Sequence, residues 1–300
     1  LPPVRMGIVH PVEQATLAAV AEAAQAGLIT PVLIGPQPLV HAAAQTAGID
    51  IAPYELIDTS HGHAATIHAV ELAHTGRLDA LMKGDLRVEE FLHVVVDKHN
   101  GLGTGRRMSH VFALDVPTYP RPLFITDAAI NVEPNLEDKR DIVQNAIDLA
   151  QALGIAKPRV ALLAAVETIN PRIRSTLEAA ALCKMVERGQ ITGGHIDGPL
   201  AFDTAVSAEV ARAHGVMSPV AGQADILVAP DLEAATMLVK QLESLAEAQS
   251  AGIVLGARIP IVLNGTTTQA LSYLGACAIA SILSNSRHAH HAMGHLPGAL

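Results

Sequence analysis

Residues 160–189 read VALLAAVETINPRIRSTLEAAALCKMVERG, and this stretch decides the fold class. It begins with the aliphatic run Val160–Ala164, continues through a short polar segment, and ends in an alanine-rich stretch with helical spacing. The run is apolar at both alternating positions, as expected for a strand whose sheet has helices on both faces. Asn170-Pro171 offers an N-cap followed by proline at the first helical position, and Gly189 offers a C-terminal stop. The stretch therefore predicts a strand followed by a helix over residues 171–188.

The same alternation runs along the rest of the chain. Further strands are predicted at Val4–Val9, Pro31–Ile34, Ala80–Met82, Val111–Leu114, Leu123–Thr126, Ile226–Ala229, Ile253–Leu255 and Pro260–Leu263. Further helices are predicted at Thr16–Ala26, Pro38–Ala47, Ala64–His74, Glu89–Val96, Leu136–Leu153, Ala201–Ala213, Glu233–Ala246 and Thr267–Leu283, with Gly154 and Gly215 as stops. Repeated strand-helix units form mainly parallel sheets covered by helices. We therefore predict an α/β protein with two lobes, the first formed by residues 1–107 and 253–300, the second by residues 108–252.

The composition narrows the classes of function. Half of the 300 residues are apolar and 2% are aromatic, which suits a large aliphatic core. The sequence has no uncharged apolar stretch of roughly 18 residues and no basic, apolar leader, so we expect no membrane span and a cytoplasmic location. The formal net charge is −9 without a basic run, which argues against nucleic acid as a partner. Cys183 and Cys277 lie far apart in helical contexts, typical of reduced core thiols.

Polar clusters directly follow several predicted strands. They are Leu81–Asp85, Ile125–Asn131, Val166–Pro171, Asp197–Asp203 and Ala221–Asp231. Ligands of open α/β sheets bind outside the carboxyl ends of the strands, so these clusters are candidate binding segments. Each cluster taken alone also fits a turn or a helix cap. Their repetition at successive strand ends favours a ligand site.

Several of these segments, in this order, resemble the phosphate acetyl/butyryltransferase family. The resemblance is carried by Thr126–Asn131, Ala179–Gly194, Asp197–Asp203, Pro219–Asp225 and Gly256–Leu263, and it extends from about Met6 to Leu283. It is strongest to the form related to the C-terminal part of bifunctional enoyl-CoA hydratase/phosphate acetyltransferase. The resemblance implies two lobes of isopropylmalate-dehydrogenase-like topology, an active cleft between them, and a homodimer.

The resemblance also implies a reaction. Acyl-CoA and inorganic phosphate give acyl phosphate and CoA, reversibly, without a metal, a bound cofactor or a covalent acyl-enzyme, so that CoA is a substrate. Such an enzyme must deprotonate or stabilise the CoA thiol, hold phosphate, and donate hydrogen bonds to the carbonyl oxygen as it becomes anionic. Arginine would normally add a charge-assisted clamp.

The resemblance places the catalytic residues after the last predicted strand. Relatives usually carry Thr-Ser-Arg-Ala-Asp-Ser there, whereas residues 264–269 read Asn-Gly-Thr-Thr-Thr-Gln, so Thr266 and Thr268 replace the arginine and the aspartate. A hydroxyl donates a hydrogen bond to phosphate, but it cannot replace the charge of a guanidinium or act as a base near neutral pH. Arg87, where relatives carry a His-Thr pair, is a candidate source of the charge. We expect Thr266, Thr268 and Arg87 to be catalytic and no metal to bind, and we expect substrate to contact Lys83, Gly84, Asp127, Asn131, Asn264, Gly265 and Thr267.

Two functions remain open at this point. The first is the family's acyl transfer, and the alternative is a catalytically weakened homologue that binds CoA or a phosphorylated acid as a sensor or partner subunit. A metal-dependent NAD dehydrogenase shares the fold, but neither clustered metal ligands nor a glycine-rich dinucleotide loop is found. We interpret the C-terminal histidines as part of a flexible tail: His288, His290, His291 and His295. We interpret three other histidines as loop or cap residues: His61, His63 and His110.

Overall fold

The computed structural model describes residues 1–263 and 270–293. In chain order the elements are β1 (Val4–Val9), α1 (Gln14–Gln25), β2 (Ile29–Gly35), α2 (Gln37–Ala47), β3 (Glu55–Asp58), α3 (Gly62–His74), β4 (Ala80–Lys83), α4 (Val88–Val95), β5 (Ser109–Asp115), β6 (Leu123–Thr126), α5 (Leu136–Ala152), β7 (Arg159–Leu163), α6 (Arg174–Glu187), β8 (His195–Leu200), α7 (Phe202–Val206), α8 (Ala208–Ala213), β9 (Ile226–Val228), α9 (Leu232–Leu245), β10 (Gln249–Leu255), β11 (Ile261–Val262) and α10 (Ala270–Met293). The chain divides into a first unit of Leu1–Gly105 and Ala251–Leu300 and a second unit of Arg106–Ser250.

The strands of the first unit follow the order β3-β2-β1-β4-β11-β10. Neighbouring strands are parallel, except that β10 and β11 are antiparallel. β1 is buried at five of its six positions, as the aliphatic run from Val4 requires. Val9 pairs with Ile34 of β2 on one side and with Lys83 of β4 on the other. The carboxyl ends of β1, β2 and β4 therefore lie side by side at one edge of the sheet.

The strands of the second unit follow the order β5-β6-β9-β7-β8. β5 and β6 are antiparallel, and the remaining pairs are parallel. Ile125, Ala161 and Leu227 of three adjacent strands belong to one buried apolar cluster. α5 begins at a capping box, in which the side chains of Asn135 and Asp138 accept each other's backbone N–H. The sheet therefore aligns the carboxyl ends of β6, β9, β7 and β8.

This mainly parallel architecture with covering helices confirms the predicted α/β fold class. The three glycines expected to stop helices also behave as predicted. Gly154, Gly189 and Gly215 follow α5, α6 and α8 with φ of 95°, 71° and 68°, the left-handed conformation that glycine adopts most easily after a helix. The sequence prediction placed the divisions of the chain at about residues 107 and 253.

Two helix predictions are wrong in detail. α6 begins at Arg174 and not at Pro171, because the Asn170 side chain accepts the N–H of Arg172 at 3.0 Å and closes a local turn. The helix predicted over 201–213 is two helices, α7 and α8, separated at Ser207, whose hydroxyl accepts the N–H of Val210. In each case a short polar side chain bonds the nearby backbone and interrupts the helix.

The C-terminal helix also differs from the prediction. α10 extends to Met293 and so includes His288, His290 and His291, which we expected in a flexible tail. His295 lies outside the described residues. Within the part of the chain that the structure describes, no helix is long and apolar enough to span a membrane.

Candidate active site

The first unit places its candidate site where the strand order reverses. The chain passes from β1 to β2 and β3 on one side of the sheet, and then crosses to β4 on the other side of β1. Ligands of open α/β sheets bind outside the carboxyl ends of the two strands at such a switch point. His10 follows β1 here, Lys83 ends β4, and Gly84 follows it. Two of the residues predicted to bind substrate, Lys83 and Gly84, therefore lie at this edge.

Lys83 is buried and holds the loop that follows β4. Its side chain is 7% exposed, and Nζ donates to the carbonyl oxygens of Gly84 and Leu86, each at 2.9 Å. Burial lowers the pKa of Lys83, while the carboxylates of Glu13 and Asp85 act in the opposite direction. Two of the three N–H donors of the ammonium are used in this way. The third donor has no partner among residues 1–263 and 270–293, so it is available to a ligand.

Gly84 is required by close packing of two backbone segments. Its N–H donates to the carbonyl oxygen of Val9 at 2.8 Å. A Cβ atom at this position would lie 2.5 Å from the carbonyl oxygens of both Val9 and His10. Any side chain here would push the loop after β4 away from the end of β1.

His10 is the residue at this edge that the sequence analysis missed. Its backbone adopts the left-handed conformation, with φ of 55°, which few residues other than glycine adopt. Its ring Nδ1 lies 2.8 Å from the carbonyl oxygen of Asp85. The available signal was a histidine at the end of an apolar run, which does not reveal the long-range contact.

Arg87 lies at the start of α4, where it occupies the N-cap position. It is exposed, its side chain does not cap the helix, and its guanidinium forms no ion pair within the described residues. The first turn of α4 also carries Glu89 and Glu90, so the charge of this helix start is mixed. Arg87 therefore has a free guanidinium beside the loop that Lys83 holds.

The remaining predicted residues of the first unit are Asn264, Gly265, Thr266, Thr267 and Thr268, and they lie outside the described residues. The structure does describe the chain on either side of them. Before them, Val262 of β11 pairs with Met82 of β4. After them, the hydroxyl of Tyr273 in α10 is hydrogen-bonded to Thr16 in α1.

In the second unit, Asp127 and Asn131 form a buried hydrogen-bonded pair at the end of β6. One carboxylate oxygen of Asp127 accepts the N–H groups of His110, Ala129 and Ile130 at 3.1–3.2 Å. The other oxygen accepts the backbone N–H of Asn131 at 3.1 Å and its side-chain Nδ2. Burial raises the pKa of Asp127, and these donors act against that rise. The carboxylate thus organises the loop after β6 from inside.

Arg107 and Arg106, the adjacent basic pair, are anchored to the same region. Arg107 Nε donates to Asn131 Oδ1 at 2.6 Å, and Arg106 Nη1 donates to Asp148 at 2.6 Å. Asn131 Nδ2 also donates to the carbonyl oxygen of Met108. Asn131 is only 2% exposed. The polar atoms of the predicted substrate residues Asp127 and Asn131 are therefore bonded within the loop after β6 and to residues 107–110.

A second polar cluster joins Glu167, which lies in the predicted binding segment Val166–Pro171, to Thr204 of α7 and to His214 at the end of α8. The buried Thr204 hydroxyl donates to Glu167 Oε1 at 2.6 Å, and His214 Nδ1 lies 3.3 Å from the same oxygen. The Thr204 hydrogen bond lowers the pKa of Glu167. Because the hydroxyl gives its hydrogen to the carboxylate and not to a ring nitrogen, this cluster is a structural link and not an activated nucleophile.

His110, expected in a loop or cap, lies instead within β5 and is 1% exposed. Its ring packs edge-on against Phe112, with centroids 4.5 Å apart. Nδ1 has no hydrogen-bond partner among the described residues. Burial lowers the pKa of His110 to about 3. The ring is therefore neutral near pH 7 and carries no charge for an anion.

We expect His110 to make the protein less stable in mild acid. The folded-state pKa of about 3 lies below the unfolded value, so protonation favours the unfolded chain. The contribution of the neutral His110 ring to the free energy of unfolding is fully present above about pH 6.5 and is lost as the pH falls towards 3. At pH 5 the free energy of unfolding should be lower by about 2 kcal/mol. His110→Leu should remove this loss, as measured by urea unfolding at pH 7.5 and pH 5. His195→Leu, at an exposed histidine of the same unit, should keep it. An unchanged pH dependence in His110→Leu would contradict this assignment.

The described residues contain no group of three or more histidine, cysteine, aspartate or glutamate side chains placed to hold a metal ion. The family model described as "Phosphate acetyl/butaryl transferase" matches residues 59–280 of the chain. This match includes Lys83 and Arg87, which lie at the end of β4 and the start of α4, and Asp127, which follows β6.

Relatives of two activities match nearly the whole chain. The chain is 52% identical over 282 residues to a phosphate acetyltransferase of Rhizobium meliloti, covering 94% of this chain and 89% of that protein. It is 38% identical over 275 residues to a phosphate butyryltransferase of Clostridium acetobutylicum, covering 92% of this chain and 91% of that protein.

Solved structures agree on the fold. A branched-chain phosphotransacylase from Enterococcus faecalis matches with a TM-score of 0.82 and 25% identity, over 94% of this chain and 99% of that chain. A 4-hydroxythreonine-4-phosphate dehydrogenase from Burkholderia phymatum matches with a TM-score of 0.57 and 17% identity, over 94% of this chain and 98% of that chain, which supports the predicted dehydrogenase-like topology. The match to the family model and the two long, highly identical relatives show that this chain belongs to the phosphate acetyl/butyryltransferase family.

Proposed function

We propose that this chain is a phosphate acyltransferase that moves a short acyl group, acetyl to butyryl, between CoA and inorganic phosphate. The observation that carries the proposal is the match of more than nine-tenths of the chain to relatives named for acetyl and for butyryl transfer. In this reaction acyl-CoA and phosphate are the substrates, acyl phosphate and CoA are the products, and no bound cofactor takes part. The proposal is preferred over a binding-only homologue for the same reason.

The switch point between β1 and β4 supports the chemistry. Lys83 has one N–H donor left for a ligand, and Arg87 presents a guanidinium at the start of α4, where backbone N–H groups also favour an anion. In this proposal Arg87 acts on the phosphate or the carbonyl oxygen. The hydroxyls of Thr266 and Thr268 donate further hydrogen bonds.

The proposal also gives roles to the other predicted residues. Asn264, Gly265 and Thr267 bind substrate beside the two catalytic threonines, and Gly84 keeps the loop after β4 close to β1. Asp127 and Asn131 hold the loop after β6 in the shape that receives substrate. The proposal also includes two lobes divided near residues 107 and 253, a homodimer, and a cytoplasmic location.

The proposal is tested by turnover of acetyl-, propionyl- and butyryl-CoA with phosphate. CoA release is followed with a thiol reagent, and acyl phosphate is trapped with hydroxylamine. Burial raises the pKa of the Cys183 thiol to about 11 and that of Cys277 to about 12, so both should react slowly and add little background. Thermal shift with CoA is measured in parallel. If CoA stabilised the protein but none of the three acyl-CoA substrates were turned over, the acyltransferase proposal would be rejected in favour of a homologue that only binds CoA.

We expect Arg87→Gln to weaken the use of phosphate. A hydrogen bond between charged groups is worth about 1.5–3 kcal/mol, so KM for phosphate should rise roughly 10- to 100-fold with little change in stability. Arg188→Gln, at an exposed arginine at the end of α6, serves as the matched control and should leave KM unchanged. The same KM in Arg87→Gln and wild type would exclude Arg87 from the phosphate site.

A further inference from the structure

His10 presents an unshared ring nitrogen at the carboxyl edge of the first unit. Its Nδ1 contacts the carbonyl oxygen of Asp85 at 2.8 Å, and a carbonyl oxygen only accepts hydrogen bonds. The neutral ring therefore carries its hydrogen on Nδ1, which leaves Nε2 as an acceptor. Nε2 makes no hydrogen bond within residues 1–263 and 270–293. The ring is partly exposed. These are the properties of a general base.

His61, the imidazole at the start of α3, is in the opposite state. Its Nδ1 accepts the N–H of Ala64 at 3.2 Å and so caps the helix. The hydrogen of the neutral His61 ring is therefore on Nε2, which faces outward as a donor. Its ring also stacks on that of His63, with centroids 6.4 Å apart. The two histidines thus have the same side chain but offer a ligand opposite hydrogen-bonding roles.

The backbone of His10 is held in its unusual conformation from two sides. Its N–H donates to the carbonyl oxygen of Ile34 at 2.7 Å, and its carbonyl oxygen accepts the N–H of Asp85 at 2.9 Å. Non-glycine residues fixed in the left-handed region concentrate at functional sites, because the surroundings must maintain an unfavourable conformation. The conformation directs the imidazole towards the loop after β4 and not along β1.

Two glycines, Gly62 and Gly84, lie next to His10. Gly62 lies beside it, and a Cβ atom there would be 3.5 Å from Cγ and Cδ2 of His10 and 2.3 Å from Cδ2 of Leu86. Gly84 likewise has no space for a side chain. The clash at Gly62 would be with Leu86 and the clash at Gly84 with backbone oxygens, so the ring of His10 itself lies at ordinary contact distance from the start of α3.

We propose that His10 is the general base that removes the proton from the CoA thiol, a role that rests on the acyl transfer proposed above. Thiol chemistry near neutral pH needs a base, and a base at a switch point is well placed to reach a ligand. Residues 264–269 contain no carboxylate, imidazole or amine side chain. His10 supplies the acceptor that those residues lack.

The proton transfer balances in both directions. Towards acyl-CoA, the thiol proton moves to Nε2 of His10, the sulfur forms a bond to the carbonyl carbon of acyl phosphate, and the C–O bond to phosphate breaks. The departing phosphate takes the electron pair and then the proton from the imidazolium. Towards acyl phosphate, Nε2 of His10 takes the proton of the hydrogen phosphate as its oxygen attacks the thioester carbon, the C–S bond breaks, and the imidazolium gives this proton to the departing thiolate.

His10→Asn is the variant that separates the base from the structural contact. Asparagine tolerates the left-handed conformation, and its side-chain N–H group can donate to the carbonyl oxygen of Asp85 as Nδ1 does. It has no basic nitrogen. We expect kcat for CoA acylation to fall by roughly 10²- to 10⁴-fold. The pH profile of kcat should also differ from that of the wild type.

Two further variants serve as controls. His61→Asn removes an imidazole from the same edge, keeps a good N-cap, and should leave kcat and its pH profile unchanged. His10→Gly also suits the backbone, and added imidazole should restore part of its activity. All variants share the other titratable groups of the neighbouring segments, so a difference between pH profiles comes from the substituted residue. These groups are Glu13, His63, Lys83 and Asp85.

The outcomes distinguish this proposal from the acyl transfer on which it rests. Turnover by the wild type with loss in His10→Asn and rescue of His10→Gly by imidazole supports both. Turnover by both wild type and His10→Asn with the same pH profile overturns the role of His10 alone. A wild type that turns over no acyl-CoA overturns the acyl transfer and the base together.

Discussion

Asp127→Asn should lower the free energy of unfolding by about 3–5 kcal/mol, because it places an amide group among N–H donors. The carboxylate of Asp127 accepts three N–H groups at one oxygen and two from Asn131 at the other. An asparagine oxygen can satisfy only one of these sets. Its NH₂ group then faces the remaining donors, and each buried unsatisfied group costs about 1–3 kcal/mol.

Urea unfolding at pH 7.5 measures this effect. Asp203→Asn is the matched control, because Asp203 is exposed and its side-chain oxygen accepts one backbone N–H, from Thr204, which an asparagine oxygen also accepts. The control should change stability by less than about 1 kcal/mol. If Asp127→Asn were as stable as wild type, the loop after β6 would not depend on the carboxylate, and Asp127 would be free to contact substrate directly.

The sequence predicts the buried strands well and the edge strands poorly, for a physical reason. β1, β6 and β7 are covered on both faces, so their residues form continuous apolar runs. The two strands that the sequence misses, β3 and β8, have a neighbouring strand on one side only and are half exposed. Gly198 and Pro199 further interrupt the pattern of β8. An edge strand has no need of an unbroken apolar run, and so its sequence does not reveal it.

The sequence predicts only those residues of the candidate site that directly follow a recognisable strand. Lys83 and Gly84 were identified because they follow an apolar run, where α/β sheets bind ligands. His10 was not, because its contact joins it to Asp85, 75 residues further along the chain. The burial of His110 likewise depends on the pairing of β5 with β6. Side-chain direction at a strand end is set by such distant partners and not by local pattern.

Gly84→Ala should disrupt both the fold and the candidate site, because its Cβ atom meets two backbone oxygens and not a flexible side chain. The carbonyl oxygens of Val9 and His10 would lie 2.5 Å from that atom. The loop after β4 must then move. This movement breaks the hydrogen bonds that the N–H groups of Gly84 and Asp85 donate to the carbonyl oxygens of Val9 and His10. We expect a loss of about 3 kcal/mol or more in the free energy of unfolding.

The displaced loop carries the Nδ1 partner of His10, the carbonyl groups that hold Lys83, and Arg87 at its end. A shift of about 1 Å in a reacting group costs roughly 100-fold in rate, so kcat/KM should fall by that factor at temperatures where the variant remains folded. Gly103→Ala is the control, since a Cβ atom there meets nothing within 4 Å. A normal kcat/KM in a folded Gly84→Ala protein would show that the reaction does not take place at the carboxyl ends of β1 and β4, because the loop would have moved without affecting the chemistry.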